Sequence, residues 1–585
     1  MTVREMVCQM LMLDFTFWND ENGNKCGVES LNDYVRDAII RNKFGGVILF
    51  DACLRDAKKA YKLVRELHEA ATSKDAINQI PLLMAIDQEG GRMVRLKDGV
   101  SMPGNLALGA IGSEAITRRT AGILAGEVAS LGFNLNFAPV LDINNNPNNP
   151  VIGTRSFSSD AMMVAKHGKA YIEGLHQNNV LCCVKHFPGH GDTSVDSHTG
   201  LPSIDKTFEE ISEFELIPYK ENLKDADMVM TAHILYPNIE KETYTSISTK
   251  QKITLPATLS KTIITGILRK KLKYDGVVIT DALSMRAISN HFKLLDTTRL
   301  AINAGVDILL MPFKINSKRD INELEWYITQ VCEMIYRGEI DLCQVEKAVK
   351  RILKLKNKIF VKREGHAKAI NFVGAPSHRN FEFEVAKKAI TLLKNDRVLP
   401  LKQDKSILIF VSNDVEKIEI ENAISKLQEN SNYKYQIVVY GAISNKEIKA
   451  YILKADYVIF TIGETIKSNI EENSDLYKRI LSADFIIKET HRQYKKVIAI
   501  SCWLPDNVAI LQETDCILCC YEEKENKANF DGRNHTIVPN LMAAFTKIID
   551  NSPFTGKLPT TIYKLDDSYN YTDEVLYNIG FSADK

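Results

Sequence analysis

The stretch VLCCVKHFPGHGDTSVDSHTGLP, residues 180–202, decides the fold class. It opens on an apolar run, residues 180–184, and continues directly into a polar loop rich in histidine, aspartate and glycine. A short apolar run of this kind is typical of a buried strand in a parallel sheet. In α/β folds the loop after such a strand is where binding and catalytic residues gather. The segment therefore predicts an α/β protein with a functional loop after residue 184.

The outer part of this loop pairs an acid with an imidazole. Asp196 lies two residues before His198, so the loop can turn the carboxylate onto one ring nitrogen. The other ring nitrogen is then available to exchange protons with a substrate. Because an unperturbed histidine titrates near neutral pH, His198 can both give and take a proton. The spacing therefore predicts an acid/base pair.

Two further histidines in the loop have a spacing that suggests a metal site. His186 and His190 are four residues apart, as in zinc sites on helices, but Pro188 and Gly189 lie between them and prevent a helix. We therefore predict no metal site. The chain also has no phosphate-binding Gly-Lys-Ser/Thr signature, so we expect no cofactor.

The first 360 residues alternate strand-like and helix-like segments. The candidate strands are residues 10–15, 46–50, 82–87, 135–140, 181–186, 228–233, 277–281 and 308–311. Strands that alternate with helical patterns predict an α/β fold, and this number of units predicts an N-terminal (β/α)8, TIM-like barrel. A barrel with one irregular or reversed strand would give the same pattern.

A second domain follows the barrel, since 585 residues are too many for one compact core. A polar connector with Gly365, Gly374 and Pro376 predicts a linker at residues 361–380. Residues 381–585 then show a second α/β pattern, with candidate strands at 407–411, 436–440, 457–462, 497–501 and 516–521. This pattern predicts a smaller, doubly wound α/β sandwich domain.

Composition narrows the partners and the compartment. Lys+Arg and Asp+Glu both number 74, so nothing favours binding to nucleic acid or to an anionic membrane. The N-terminus lacks the pattern of a signal peptide, which predicts a cytoplasmic protein. Cys516 and Cys519 have the spacing of a redox or zinc motif but lie in a strand-like run, so we expect buried free thiols. The oligomeric state is left open.

The polar residues that suggest function all fall at the ends of candidate strands. They are Asp87, residues 144–157, residues 185–198, His233 and Asp281. Active sites of parallel barrels lie at the carboxyl ends of the strands, so this distribution supports the barrel independently. Asp281 is the candidate nucleophile, because a carboxylate at the end of an apolar strand is costly unless it is paired or belongs to a site. Its alternative role is a helix N-cap.

Four segments resemble the bacterial β-N-acetylglucosaminidases of glycoside hydrolase family 3. They are the Asp196-x-His198 loop, AIDQEGGRMVR at 85–95, NPVIGTRSF at 149–157 and GVVITDALSM at 276–285. The start and end of the second domain, ITLLKNDRVLPL and TGKLPTTI, also resemble that family. The resemblance implies a retaining exo-enzyme that removes terminal N-acetylglucosamine from small oligosaccharides or muropeptides, derived from cell wall or chitin.

The resemblance also assigns roles to individual residues. Asp281 would form the covalent glycosyl-enzyme, and His198, supported by Asp196, would be the acid and base. The implied substrate-binding residues are Asp87, Arg95, Arg155, Lys185, His186 and Met285.

Several alternatives remain at this stage. Glu89 and Arg92 are also interpretable as a surface ion pair, and His233 either lines the site or caps its strand. The enzyme could be a phosphorylase on the same glycosides, or a related β-glucosidase that takes its acid from Glu464 or Glu471. A catalytically inactive sugar-binding protein is the alternative outside enzymes.

Overall fold

The computed structural model describes residues 1–76, 79–194, 200–360, 370–427, 433–463, 470–471, 474–522 and 539–583. Most of both predicted domains lies within these ranges. The predicted acid/base pair, Asp196 and His198, lies outside the described residues, as do Glu464 and residues 361–369 of the predicted linker.

Eight parallel strands form the first unit, and they close into a barrel. They are β1 Leu11–Asp14, β2 Gly46–Ile48, β3 Leu83–Ile86, β4 Leu135–Asn136, β5 Leu181–Phe187, β6 Met228–Thr231, β7 Val277–Thr280 and β8 Leu309–Leu310. Sequential strands pair from β1 to β7, and β8 pairs with β1. A parallel bridge between Ile279 and Ile308 joins β7 to β8 and closes the ring. The predicted barrel is confirmed, and none of these strands is reversed.

Helices pack around the barrel because each has an apolar face that is buried against the sheet. The helix Ala57–Thr72 shows the pattern: Asp56 caps it through the Lys59 amide, and Leu63, Val64 and Leu67 on its inner face are buried. The helices of this unit are Val3–Gln9, Asp33–Asn42, Ala57–Thr72, Asn105–Ile111, Glu114–Ser130, Ala161–His176, Phe208–Glu213, Ile217–Asn222, the π-helix Thr262–Lys271, Arg286–Ser289, Leu294–Ala304, Lys318–Tyr336 and Leu342–Phe360.

The second unit is a six-stranded sheet with helices on both faces, as predicted. Its strands are β9 Thr391–Asn395, β10 Ser406–Val411, β11 Lys434–Val439, β12 Tyr457–Ile462, β13 Lys496–Ser501 and β14 Cys516–Cys519, in the order β9-β14-β13-β12-β10-β11. Its helices are Pro376–Ala389, Asp414–Leu427, Asn445–Leu453, Asp475–Arg492 and Asn540–Asp550. β9 is antiparallel to β14. The sequence pattern did not predict a strand at this position. Cys516 and Cys519 are buried free thiols, as expected.

Four short antiparallel hairpins complete the described part of the structure. They are Phe17–Asn19 with Lys25–Gly27, Gln88–Gly90 with Met93–Val94, Thr243–Thr245 with Lys252–Thr254, and Ile562–Leu565 with Tyr571–Tyr577. Within the described ranges, no helix combines the length and the apolarity needed to cross a membrane.

The helix Pro376–Ala389 fastens the barrel to the second sheet. Its buried Glu382 accepts hydrogen bonds from the backbone amides of Ser101 (2.7 Å) and Met102 (2.8 Å) in the barrel unit. Farther along the same helix, Ala386 and Ala389 pack in the core of the second sheet. The helix begins inside the predicted linker, and the division of the chain into domains at 360 and 381 stays a prediction.

Glu382→Ala should destabilise the protein, because it leaves two buried amides without an acceptor. An unsatisfied buried donor costs roughly 1–3 kcal/mol, so we expect a loss of about 2–4 kcal/mol in the free energy of unfolding. Urea unfolding measures it, with the exposed Glu384→Ala on the same helix as the control. Equal midpoints for both variants would contradict the role given to Glu382.

Candidate active site

A cavity of about 360 Å³ opens at the carboxyl ends of the barrel strands. Every described residue that the sequence placed in the site lines it: Asp87, Arg95, Arg155, Lys185, His186, Asp281 and Met285. These residues come from segments that are far apart in the chain and meet only because parallel strands end at one edge. The cavity also has lining residues that the sequence did not predict, among them His190, Arg286 and Lys314.

A buried ion cluster forms part of the wall of this cavity. Glu89 accepts two hydrogen bonds from the Arg155 guanidinium, at 2.9 and 2.7 Å. The Lys185 ammonium lies 2.6 Å from the same carboxylate, and all three side chains are buried. Burial alone raises the pKa of Glu89, but the charges of Arg155 and Lys185 outweigh it and hold that pKa well below its usual range.

This cluster overturns one expectation. The sequence left open a surface ion pair between Glu89 and Arg92. Instead, Glu89 is buried and forms its ion pair with Arg155. Arg92 donates to the carbonyl oxygen of Val151. The close spacing of two opposite charges was misleading because Glu89 follows a barrel strand and points into the interior.

Lys185 joins the cluster to the cavity. Its Nζ lies 2.8 Å from Asp87 Oδ1, and the Asp87 side chain is partly exposed. Burial lowers the pKa of Lys185, but Asp87 and Glu89 outweigh this and raise it, so the ammonium is charged at neutral pH. Lys185 therefore holds the Asp87 carboxylate in place at the cavity wall.

The hairpin after β3 fixes the position of Arg95. The Arg95 backbone amide donates to Gln88 Oε1 at 2.9 Å, and the guanidinium carbon lies 5.4 Å from the centre of the Phe50 ring. Tyr171 donates to the carbonyl oxygens of Gln88 and Glu89. These contacts anchor the backbone of the hairpin and place the Arg95 guanidinium at the rim of the cavity.

Asp142 organises the start of the long loop, and the sequence analysis did not find it. Its buried carboxylate lies 2.7 Å from His186 Nδ1 and accepts the His190 backbone amide at 2.7 Å. Burial raises the pKa of Asp142, but the two histidines outweigh it and lower that pKa. Burial also lowers the pKa of His190 to about 4, so this imidazole is neutral at physiological pH.

The described base of this loop, up to Ser194, is held rigidly. Asn149 Nδ2 donates to the carbonyl oxygens of His190 and Gly191, both at 2.8 Å. A Cβ at Gly191 would lie 1.7 Å from the carbonyl oxygen of Ile143, so only glycine fits there. The Tyr236 hydroxyl donates to the Gly189 carbonyl at 2.7 Å. The loop is therefore anchored to the barrel at residues 189–191.

Asp281 directly follows β7 and borders the cavity. Its backbone amide donates to Thr231 of β6, and its Oδ1 accepts the Ala282 amide at 2.7 Å. It does not cap the next helix, Arg286–Ser289, whose N-cap residue is Met285. His233 contacts the Ala282 carbonyl oxygen through Nε2 at 3.1 Å, so it supports the backbone beside Asp281 rather than facing the cavity.

One group of three potential metal ligands lies within the described part of the chain, at the opposite end of the barrel. It consists of His176, Cys182 and Asp227. Asp227 already accepts hydrogen bonds from His176 Nε2 and the Cys182 amide, and the Lys358 ammonium contacts its other oxygen. An ammonium at this position opposes a second cation, so the group is a structural ion cluster.

The fold and the polar rim are those of a (β/α)8-barrel protein with a functional cavity at the carboxyl ends of its strands. The model of the glycosyl hydrolase family 3 N-terminal domain matches residues 2–355. The chain therefore belongs to glycosyl hydrolase family 3, as its sequence resemblance implied.

Known proteins agree with this assignment. β-Hexosaminidase A of Pseudoalteromonas piscicida is 38% identical over 74% of this chain and 74% of its own length. A β-hexosaminidase of Idiomarina loihiensis is 33% identical over 46% of this chain and 76% of its own length. The structure of a family 3 β-N-acetylglucosaminidase from Paenibacillus superposes with a TM-score of 0.76 at 29% identity, covering 96% of this chain and 99% of that one.

Glu89→Gln should destabilise the protein strongly, because it leaves Arg155 and Lys185 buried without their counter-charge. Breaking a buried pair typically costs about 3–5 kcal/mol. The folded-state pKa of Glu89 is lowered, so its contribution is full above the usual carboxyl pKa of 4.5 and is lost as the pH falls toward the folded-state pKa. The difference between wild type and variant should therefore shrink below pH 4.5.

Urea unfolding between pH 3 and pH 7 measures this difference. Glu173→Gln is the control, because its pair with Arg118 is partly exposed and should contribute no more than about 1 kcal/mol. A cost for Glu89→Gln that is equally small, or that does not change with pH, would contradict the cluster's role.

Proposed function

We propose that the protein is a retaining exo-β-N-acetylglucosaminidase. The observation that carries this proposal is the juxtaposition of Asp281 with Asp87, Arg155, Lys185 and His186 around one small cavity. Its volume of about 360 Å³ lies near the lower end of the 300–1,000 Å³ typical of ligand sites. A cavity of this size favours binding of a terminal sugar over binding along a polymer.

The names of the relatives indicate which sugar we propose as the substrate. Both β-hexosaminidases and the Paenibacillus β-N-acetylglucosaminidase are named for hexosamine substrates. A β-glucosidase or phosphorylase activity is therefore not favoured. Hydrolysis of an aryl β-N-acetylglucosaminide, with little or none of the aryl β-glucoside, tests the assignment, and the reverse preference or no hydrolysis of either would overturn it.

In the proposed mechanism, Asp281 attacks the anomeric carbon and forms a covalent glycosyl-enzyme. His198 protonates the leaving glycosidic oxygen, and Asp196 orients the imidazole and stabilises its charged form. In the second half-reaction His198 takes a proton from water, which releases the sugar with its configuration retained. The base of the loop that carries both residues is anchored by Asn149, which donates to the carbonyl oxygens of His190 and Gly191.

The sugar hydroxyls have a complementary set of partners. Asp87 accepts hydrogen bonds, and Arg95, Arg155 and Lys185 donate them. His186 uses Nδ1 to contact Asp142, which makes Nε2 the nitrogen for a hydroxyl group. Met285 supplies an apolar wall, on which an acetyl methyl group can pack.

The natural substrates we propose are small oligosaccharides or muropeptides from cell wall or chitin, cleaved in the cytoplasm. The thiols support a reducing compartment: all 11 cysteines are free, and most of them are buried.

Asp281→Ala should lose nearly all turnover and keep its fold, because the residue lies at the rim and contributes little to the core. Added azide should restore cleavage of an activated aryl N-acetylglucosaminide and give a glycosyl azide of inverted configuration, since the small anion takes the place of the missing carboxylate. Product NMR reads the configuration. Asp275→Ala, just before the same strand but at its opposite end, is the control and should stay active. Full activity of Asp281→Ala without azide would remove it from the mechanism.

His198→Ala should slow cleavage of substrates with basic leaving groups far more than that of activated aryl substrates. General acid catalysis contributes roughly 10²–10⁴-fold, and only a basic leaving oxygen needs the proton. Asp196→Ala should give a milder form of the same pattern. A series of aryl glycosides with graded leaving-group pKa measures it, and equal losses across the series would assign the loop to binding.

A further inference from the structure

A second, smaller cavity lies between the barrel unit and the second domain. It has a volume of about 180 Å³, and we refer to it as the interdomain cavity. The barrel side supplies Asn144, Asn145 and Ser159 from the segment after β4, and the second domain supplies Asp506, Thr560 and Thr561. The cavity is therefore polar and is built from both halves of the chain.

Several oxygen atoms that line this cavity lack a hydrogen-bond partner among the described residues. They include Oδ1 of Asn144 and Oγ1 of Thr560, both in residues that are less than 10% exposed. A buried polar atom normally finds a partner, because leaving it without one costs roughly 1–3 kcal/mol. Two such atoms facing one cavity indicate that a group other than the described residues satisfies them.

Asp506 adds a buried carboxyl group to the same cavity, and burial raises its pKa to about 7. The residue is 3% exposed, and its carboxylate bonds only its own backbone amide within the described part of the chain. Asp515 in the same domain shows the contrast, because Lys496 and His491 contact it. A buried carboxylate without a counter-charge is costly, which is why burial raises the pKa of Asp506, and a cation bound beside it would stabilise the charged form.

We propose that the interdomain cavity binds a hard metal cation through Asp506, Asn144 and Thr560. The donors are carboxylate, amide and hydroxyl oxygens, which suit alkali and alkaline-earth ions rather than softer metals. No basic residue is among the described lining residues that could repel the ion. One carboxylate neutralises one positive charge, so Na⁺ or K⁺ would make the buried site neutral.

The bound cation would tie the second domain to the functional loops. Asn144 and Asn145 directly follow Ile143, whose carbonyl oxygen is in contact with Gly191 at the base of the acid/base loop. A cation shared by Asn144 and Asp506 therefore connects that base to the second domain. This inference goes beyond the proposed glycosidase activity and does not depend on it.

Thermal unfolding of the full-length protein in different chloride salts tests the proposal. We expect the unfolding midpoint to rise in NaCl, KCl or CaCl₂ relative to choline chloride at equal ionic strength, because a ligand that binds only the folded state stabilises it. The salt that acts at the lowest concentration identifies the preferred ion. Asp506→Asn keeps the shape but removes the charge, so its midpoint should not respond to the cation.

Two further variants separate a cation site from a structural role. Thr560→Val is isosteric and should weaken the response to the cation, which shifts the half-effective salt concentration upward. Asp484→Asn, on the surface of the second domain, should respond as wild type does. Equal wild-type midpoints in all four salts, or a cation response that Asp506→Asn retains, would overturn the proposal. A wild-type protein that shows the cation response but cleaves no aryl N-acetylglucosaminide would refute the glycosidase assignment and still support the cation site.

Discussion

The pairing of one buried carboxylate with two buried cations is the interaction on which this structure depends. Glu89 follows β3, Arg155 lies in the loop after β4, and Lys185 belongs to β5, so the cluster locks three neighbouring segments of the rim together. Buried charges are tolerated only when they are paired and hydrogen-bonded, and each member of this cluster has such a partner. That arrangement in turn fixes Lys185 against Asp87.

The second domain contributes to the site without supplying any described residue to its wall. Ser158 and Ser159 lie at the end of the loop that carries Arg155. The Ser158 hydroxyl and the Ser159 amide both donate to the carbonyl oxygen of Pro559 in the second domain. Asn105, on a helix that packs against the second sheet, donates to the Arg155 carbonyl at 2.7 Å. The rim loop is therefore held between the barrel and the second domain, so that domain helps to position Arg155, the residue that we propose binds a sugar hydroxyl.

The sequence predicted the features that local pattern controls. Each barrel strand is a short apolar run, and the polar residues that follow these runs meet at one edge, so both the barrel and the cavity lining were predictable. β9 was missed because an antiparallel edge strand has no alternation with helices to reveal it. Asp142 was missed because it lies among asparagines with no motif, and its histidine partners are about 44 to 48 residues away. Glu89 was ambiguous for the same reason: its partner Arg155 is 66 residues away.

The central claim is that Asp281 at the rim cavity forms a covalent bond to N-acetylglucosamine. A fluorinated N-acetylglucosaminyl fluoride that forms a slowly hydrolysed intermediate tests it directly, when the trapped enzyme is digested and its peptides are analysed by mass spectrometry. The account predicts a single sugar adduct on the peptide that contains VVITDALSM, with the added mass on Asp281. An adduct on another carboxylate, such as Asp87, or the absence of an adduct while the enzyme turns over aryl N-acetylglucosaminides, would contradict it.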